Sequence, residues 1–471
     1  MAIPVTEVSS RHGATAPVTG TEVHRLVRWA CPALSQRAAL ALRGSFWTLA
    51  GYGSSQVLRL LSVLILAKHF LGPEAFGLAA LVTSFLAGLD MLSDLGVGMD
   101  VVQHPRGDDP AFVSTAFWMQ AARMGMLSML AAALSYPFAA FYHQPALRWL
   151  AVVGALSVGV RGLSSGAVWS MTRHVDLKKV TLLNIAGDSV GFVAAVTWAA
   201  VSPTAWALVI GKAASAVTYS VTSHVIGKPK MSFAWDSNAA KDIMRFGLGI
   251  LVSTSTYFVA TEAERLVVGK VVSLVEFGCF TLAISLALPV PRALQQVLSQ
   301  VFYPMISRSY RNSPCRANED YVRALWLVVV TSSLLAVAFI LLSKPLVVVL
   351  LGPKYSMTGW MLQLLGFRAS LELLLGLAAM MLFAVGTSKY AAVGNVFRLM
   401  FLAAGLSVAF ARFGLREAIW VLAASPIFGY IPLLWGLRAR SSSALRAELI
   451  GVATFAAVSG LAVLASHILQ H

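Results

Sequence analysis

The sequence predicts an all-α polytopic membrane protein, and three observations support this fold class. Of the 471 residues, 58% are hydrophobic and only 12% are charged, whereas soluble domains carry roughly a quarter charged residues. Apolar stretches close to the roughly 20 residues that a spanning helix needs recur along the chain. Basic residues are concentrated in the connections between these stretches, and connections rich in them alternate with connections that have few. A lipid bilayer is therefore the solvent that suits this sequence.

Thirteen apolar segments are long enough to be spanning helices. Their predicted ranges are 45–69, 76–97, 112–136, 147–171, 180–200, 203–225, 246–270, 277–301, 321–343, 358–385, 388–412, 416–436 and 445–469. No connection between them exceeds roughly 20 residues, which is shorter than a domain of its own. The sequence therefore predicts no separate soluble domain.

The distribution of basic residues predicts that the N-terminus is cytoplasmic. With alternating helices, 21 Lys and Arg residues fall on the cytoplasmic side and 7 on the other, which is the bias of the positive-inside rule. The same rule accounts for the net charge of +16, so nucleic acid is not a predicted partner. Residues 1–44 lack the features of a cleavable signal peptide and predict a cytoplasmic tail with a basic interfacial helix over 22–43.

A weak internal repeat predicts two lobes of six helices each. The segment "FLGPEAFGLAALVTSF" at 70–85 resembles "VVSLVEFGCFTLAISL" at 271–286, and Phe76-Gly77 aligns with Phe277-Gly278. Transporters built from two such halves bind substrate between them. The predicted organisation is a tail at 1–44, an N-lobe at 45–225, a cytoplasmic linker at 226–245, a C-lobe at 246–436, and a cytoplasmic loop with an extra helix at 437–471.

Charged residues inside the predicted helices point to a wet cavity. A charge at the bilayer centre costs roughly 2.5–3.5 kcal/mol, so such side chains face water, pair or extend to the interface. Arg59 lies on one helical face with Ser55 and Ser62, and Arg292 lies on one face with Gln296 and Ser299. Packing of polar side chains between helices is the alternative. Arg368 and Glu372, four residues apart, are expected to pair with each other.

Three carboxylates are candidates for coupling transport to protons or sodium ions. They are Asp90, Asp94 and Asp188, each within an apolar segment. The alternative is a salt bridge from one of them to Arg59 or Arg123. The chain carries none of the phosphate-loop, zinc-binding or serine-elbow motifs, and its three cysteines lack ligand spacing. The sequence therefore predicts neither an enzyme nor a bound metal or cofactor.

Five stretches together resemble a known family. They are "RGSFWTLAGYGSSQVLRLLSVLILAKHFLGPEAFGLAALV" at 43–82, "DLGVGMDVVQHP" at 94–105, "TEAERLVVGKVVSLVEFG" at 261–278, "VFYPMISR" at 301–308 and "KPLVVVLLGPKYSMTGWMLQLLG" at 344–366. In this order they are similar to the polysaccharide transporters (Wzx-like oligosaccharide flippases) of the multidrug/oligosaccharidyl-lipid/polysaccharide (MOP) exporter superfamily. The resemblance covers most of 43–435.

The resemblance implies two six-helix lobes in a V, about 12–14 helices that span a bilayer, and alternating access in the bacterial inner membrane. The implied substrate is an oligosaccharide repeat unit on undecaprenyl diphosphate, for exopolysaccharide or O-antigen synthesis. Implied partners are membrane lipids, a polysaccharide polymerase and a chain-length regulator. Because arginine pairs with phosphate in a bidentate manner, the predicted substrate-binding residues of a cationic cavity are Arg59, Arg123, Arg161, Arg292 and Arg398.

Three other functions stay open at this stage. A drug or toxin exporter of the same superfamily would need acidic and aromatic cavity residues to hold cations, whereas the excess here is basic. A polysaccharide polymerase or ligase would need a sizeable external loop, and the predicted connections are short. A passive scaffold of the polysaccharide machinery is the third.

Overall fold

The structure, a computed structural model, describes residues 51, 53–227, 234–387 and 389–468. Within these ranges the chain is almost entirely helical and contains no β-strand, which confirms the predicted all-α class. The predicted tail 1–44, with its interfacial helix, lies outside the described residues, as does the middle of the predicted linker.

Eighteen helices follow one another along the described residues, with a π-helical segment Leu298–Phe302 between α12 and α13 and a 3-10 turn Pro353–Tyr355 before α15. They are α1 over 53–70, whose last turn Leu66–Phe70 is π-helical, α2 Pro73–Ser93, α3 Val97–Gln103, α4 Pro110–Phe141, α5 Ala146–Gly162, α6 Ala167–Arg173, α7 Leu177–Val201, α8 Trp206–Gly227, α9 Ser237–Thr261, α10 Ala263–Val271, α11 Leu274–Ala287, α12 Pro289–Val297, α13 Tyr303–Asn312, α14 Pro314–Leu351, α15 Ser356–Ala384, α16 Lys389–Arg412, α17 Leu415–Arg440 and α18 Ser442–Ile468.

Nine of the described helical spans are long and apolar enough to cross a membrane, or ten if the bent pair α5–α6 is one span. Ten of the thirteen predicted spans correspond to these. The other three differ: the predicted span 45–69 begins outside the described residues, and 203–225 and 246–270 correspond to α8 and to α9 with α10, which are more polar. The predicted C-terminal span corresponds to α18, which has the length and composition to cross.

Two spans that were predicted as continuous are broken. The predicted helix 147–171 bends by 61° between α5 and α6, and the backbone amide of Ser165 there donates to the Ser223 hydroxyl of α8 instead of to a helical carbonyl. The predicted helix 246–270 is interrupted at Glu262, which ends α9 and begins α10. Backbone groups freed at membrane depth need such partners, so these breaks are built into the fold.

Several connections are shorter than predicted. Helix α9 begins at Ser237, where the Asp236 carboxylate caps it by accepting hydrogen bonds from two backbone amides. The linker predicted at 226–245 is therefore largely helical at both of its ends. Helices α17 and α18 are separated by Ser441 alone, so the loop predicted after 437 is absent. The short helix α3 was not predicted, and it follows Gly96, whose positive φ of 58° favours glycine.

The two segments of the predicted repeat pack against each other. A Cβ atom added to Gly278 of α11 would lie 1.8 Å from the Pro73 carbonyl oxygen, and one added to Gly77 of α2 would lie 2.4 Å from that of Leu274. Small residues permit this close backbone approach between membrane helices. We call this contact the glycine crossing. Phe76 and Phe277 are buried beside it, in one apolar cluster that draws on α2, α11 and α15.

Candidate substrate cavity

A cavity of about 520 Å³ lies beneath the glycine crossing. Its wall is built by α1, α2, α7 and α8 on one side and by α10, α11 and α12 on the other. This volume is within the range of small-molecule sites. The cavity therefore lies between the two segments of sequence that were predicted as separate lobes.

Four cationic side chains line this cavity, and they come from four different helices. Arg59 extends from α1, Lys212 from α8, Arg265 from α10 and Arg292 from α12. The Lys212 ammonium group donates to the Thr83 hydroxyl of α2 at 2.9 Å. Helices α1, α8 and α10 are not among the described helices that are long and apolar enough to cross a membrane, and they supply three of the four cations.

Three of the four cations form no ion pair among the described residues, and of these three Lys212 donates to the Thr83 hydroxyl. Within the described part of the chain, neither Arg59 nor Arg292 forms an ion pair, and both residues are exposed to the cavity. Arg265, by contrast, donates to both oxygens of Glu262, at 3.0 and 3.1 Å. These two arginines line the cavity from two different helices, α1 and α12, and the five donors of each guanidinium group are available to an anion.

Two carboxylates also line the cavity, Asp188 of α7 and Glu262 at the break between α9 and α10. Asp188 is one of the three predicted coupling residues, and it forms no ion pair among the described residues. The four cations outnumber the two carboxylates, so the cavity carries an excess of positive charge. This excess disfavours a cationic cargo and favours an anionic one.

The structure brings together three of the eight predicted site residues, Arg59, Arg292 and Asp188. Arg161 lies elsewhere, with its guanidinium 4.1 Å from the centroid of the Tyr219 ring. The other predicted residues lie in ion pairs outside the cavity lining. Lys212, Glu262 and Arg265 were not among the predicted site residues. The spacing of three between Glu262 and Arg265, one helical turn, was the signal in the sequence.

Arg123 lies in a cluster with both remaining coupling candidates. Its guanidinium is 2.9 Å from Asp90 and 3.8 Å from Asp94, and it also donates to the hydroxyl of Ser93. Of the two cations considered as alternative partners, Arg123 is therefore the one that pairs. The cluster joins α4 to the end of α2.

A second network of charges lies within the predicted C-lobe. Arg368 of α15 donates in a bidentate manner to Glu264 of α10, with both distances at 3.1 Å. It also donates to Glu372, as the spacing predicted, and Glu372 in turn accepts from Arg398 of α16 at 2.8 Å. We call these four residues the buried charge network. Two cations and two carboxylates balance, which leaves little charge for a ligand.

A third group of charges connects the α3–α4 loop to the start of α9. Arg106 donates to Asp109 at 2.7 Å and to Asp236 at 2.6 Å. The hydrogen bond from Arg106 holds the pKa of each of these two carboxyls below its usual value, and the two carboxyls raise the pKa of Arg106. Beside this loop Val97, Phe112 and Ile243 form a small apolar cluster. Ion pairs and apolar contacts thus join the α3–α4 loop to α9 at the end of the molecule that is remote from the glycine crossing.

No group of three or more potential metal ligands is present among the described residues. Cys279, the cysteine whose side chain is described, is buried in α11 as a free thiol. The chemistry available in the cavity is therefore ionic and hydrogen bonding by Arg, Lys, Ser, Thr and carboxylate side chains.

Several solved structures share the fold of this chain. The chain superposes on a structure titled lipid II flippase MurJ, inward closed conformation, with a TM-score of 0.67, 12% identity, and coverage of 91% of this chain and 98% of that one. An inward-facing multidrug resistance MATE family transporter of the MOP superfamily gives a TM-score of 0.60 at 13% identity, covering 84% and 95%. The fold is that of MOP superfamily transporters, and the chain is a multi-pass membrane protein.

Within this class, the family model described as polysaccharide biosynthesis protein matches residues 65–358, and the chain belongs to that family. Amylovoran biosynthesis protein AmsL of Erwinia amylovora is 23% identical over 258 residues, which cover 54% of this chain and 66% of that protein. Succinoglycan biosynthesis transport protein ExoT of Rhizobium meliloti (strain 1021) is 22% identical over 325 residues, covering 68% and 64%. The chain thus spans just under two thirds of each relative's length.

Proposed function

We propose that this protein is a flippase for oligosaccharide repeat units linked to undecaprenyl diphosphate, in exopolysaccharide or O-antigen synthesis. The observation that carries the proposal is the pair of unpaired arginines, Arg59 and Arg292, which line the cavity from α1 and α12. A diphosphate carries several negative charges and matches the planar fork of guanidinium donors. The membership of the polysaccharide biosynthesis family supports a sugar cargo.

The size of the cavity supports alternating access as the mechanism. A volume of about 520 Å³ suits a diphosphate with its nearest sugars better than a whole oligosaccharide, so the cavity has to widen during transport. In this proposal the N-lobe 45–225 and the C-lobe 246–436 move as units, and the glycine crossing and the Arg106 contacts separate in turn. Two helices that pack through their glycine backbones have few interdigitated side chains at the contact. They can therefore separate there without repacking side chains.

The proposed setting is the bacterial inner membrane with the N-terminus in the cytoplasm, where lipid-linked repeat units are assembled. Membrane lipids, a polymerase and a chain-length regulator are the proposed partners. The protein would be a transporter without catalytic residues. Fusions of a periplasm-sensitive reporter after residues 227 and 441 test the orientation, since both positions are expected on the cytoplasmic side.

Alanine substitutions at the two unpaired arginines test the function. Arg59→Ala, Arg292→Ala and the double variant should each reduce polymer export at least about tenfold, because each loses roughly 1.4 kcal/mol or more of diphosphate binding. Membrane levels of the protein should stay normal. Arg161→Ala is the matched control, since this arginine is exposed but lies over Tyr219 outside the cavity lining.

Two results would contradict the proposal. Normal export by the double variant would show that the arginines do not hold the cargo. Equal losses for Arg161→Ala and Arg59→Ala, at equal protein levels, would show that the effect is not specific to the cavity. The drug-exporter alternative predicts a different result, in which the double variant still protects cells from cationic dyes.

A further inference from the structure

The Glu262 carboxylate occupies a central position at the cavity wall. Glu262 ends α9 and begins α10, so its carboxylate lies at the break between these two helices. One oxygen accepts a hydrogen bond from Arg265 at 3.0 Å, and the other accepts from Arg265 at 3.1 Å and from the Ser84 hydroxyl at 3.1 Å. Glu262 therefore neutralises one cavity cation.

The contact with Ser84 connects distant parts of the chain. Ser84 lies on α2 and is 2% exposed, and 178 positions of sequence separate it from Glu262. One turn further along α2, a Cβ added to Gly88 would lie 2.6 Å from the Phe258 ring of α9. The two helices are thus packed closely here, and the Ser84–Glu262 bond joins the predicted N-lobe to the broken helix of the predicted C-lobe.

The cations around Glu262 indicate which ligand could replace its carboxylate as the partner of Arg265. Arg265 is its ion-pair partner, and Lys212 lies within electrostatic range of Glu262, of Arg265 and of Arg59. A phosphate group that enters between these three cations can offer Arg265 a bidentate acceptor in place of the carboxylate. Two anions cannot share this site without repulsion, so an arriving phosphate disfavours the present position of Glu262.

We propose that Glu262 is a resident counter-anion of Arg265, which the diphosphate of the cargo displaces. Displacement removes the Ser84–Glu262 hydrogen bond between α2 and the α9–α10 break. Binding of the cargo thereby weakens the contact between the two lobes. The empty cavity keeps Arg265 satisfied and the lobes joined. This inference rests on the proposed function, because it takes a diphosphate as the cargo's headgroup.

Binding of farnesyl diphosphate to the purified full-length protein in nanodiscs tests the inference, with farnesol as the uncharged reference. Glu262→Gln keeps the shape and the Ser84 contact but removes the competing charge. It should bind farnesyl diphosphate about fivefold more tightly, as expected from the loss of a competing pair worth up to about 1 kcal/mol. In an Arg265→Ala background the same change should have no effect on affinity.

Asp188→Asn is the matched control, because Asp188 is the other cavity carboxylate and has no ion pair to Arg265. Asp188→Asn removes one negative charge from the cavity but frees no arginine, so its affinity for farnesyl diphosphate should rise less than that of Glu262→Gln. Export is the second readout: Glu262→Gln should export less polymer than the wild type despite tighter binding, because occupancy no longer breaks the contact between the lobes. Asp188→Asn should not show this combination.

Three outcomes decide the matter. If the wild type prefers farnesyl diphosphate to farnesol but Glu262→Gln binds and exports as the wild type does, the counter-anion is overturned and the flippase proposal stands. Equal tightening by Glu262→Gln and Asp188→Asn would indicate a general field effect and would also overturn it. If the wild type binds both compounds equally, the proposed function fails and this inference fails with it.

Discussion

The cavity and the buried charge network both contain arginines from helices, but these arginines differ in whether a carboxylate pairs with them. In the network, each carboxylate of Glu264 and Glu372 contacts at least one arginine, and positive and negative charges balance. In the cavity, Arg59 and Arg292 face solvent and lack carboxylate partners among the described residues. The difference shows that Arg59 and Arg292 can bind an anion without first losing a carboxylate partner, whereas the arginines of the network cannot.

The largest expected effect tests this comparison on stability. Arg368→Leu leaves the almost buried Glu264 carboxylate without its ion-pair partner, while Glu372 keeps Arg398, and it should lower the free energy of unfolding by about 3–5 kcal/mol. Arg59→Leu, the same change in the cavity, should change it by less than about 0.5 kcal/mol. Thermal unfolding in detergent with an equilibrium denaturation series measures both. Equal losses from the two variants would remove the distinction between the regions.

A smaller effect is expected at Arg123, which the sequence placed in the cavity. The side chain of Arg123 is 8% exposed and that of Asp90 is 45% exposed, so this pair is partly solvated. A double-mutant cycle with Arg123→Ala and Asp90→Ala should give a coupling energy of about 1–2 kcal/mol. Export per folded molecule should stay near normal. If Arg123→Ala lost export tenfold without loss of stability, Arg123 would contribute to cargo binding after all.

Glu448 sharpens the comparison because it is a buried acid without a cation. It lies on α18 in contact with the hydroxyl groups of Tyr321 on α14 and Tyr430 on α17, and all three residues are almost fully buried. Glu448→Ala leaves two phenols unsatisfied and should cost about 1–3 kcal/mol of stability, whereas Glu448→Gln should cost less than half as much. A reversed order would show that the negative charge itself is required there.

Much of the fold could be predicted because it depends on local composition. Helix positions follow from apolar length, and the pair Arg368–Glu372 follows from a spacing of four. The breaks at Gly162 and Glu262 could not be predicted, since they depend on partners far along the chain such as Ser223, which binds the freed amide of Ser165.

The candidate site was predicted only in part, for the same physical reason. The sequence shows which residues are charged and on which helical face they lie, and this sufficed for Arg59 and Arg292. Whether an arginine meets a carboxylate depends on which helices are neighbours, so Arg123 and Arg398 could not be distinguished from them. Glu262 and Arg265 were not predicted as site residues, because charged residues one helical turn apart are also typical of a local pair. The contact with Ser84 and the position at the cavity give this pair a wider role.

The smallest expected effect concerns Arg106, whose ion pairs lie outside the spanning helices and are solvated. Arg106→Gln should lower the melting temperature slightly, and less than any change above, because exposed pairs contribute little.

Arg106 lowers the pKa of Asp109 and Asp236. A carboxyl with a lowered pKa in the folded protein stabilises it above the usual range and loses this contribution as the pH falls through the lowered value. The difference between wild type and variant should therefore be constant from about pH 6 to 8, begin to fall near the usual aspartate pKa of about 4, and disappear only below the lowered pKa. A difference that grows on acidification would show that Arg106 acts by other contacts, such as its position over the Phe112 ring.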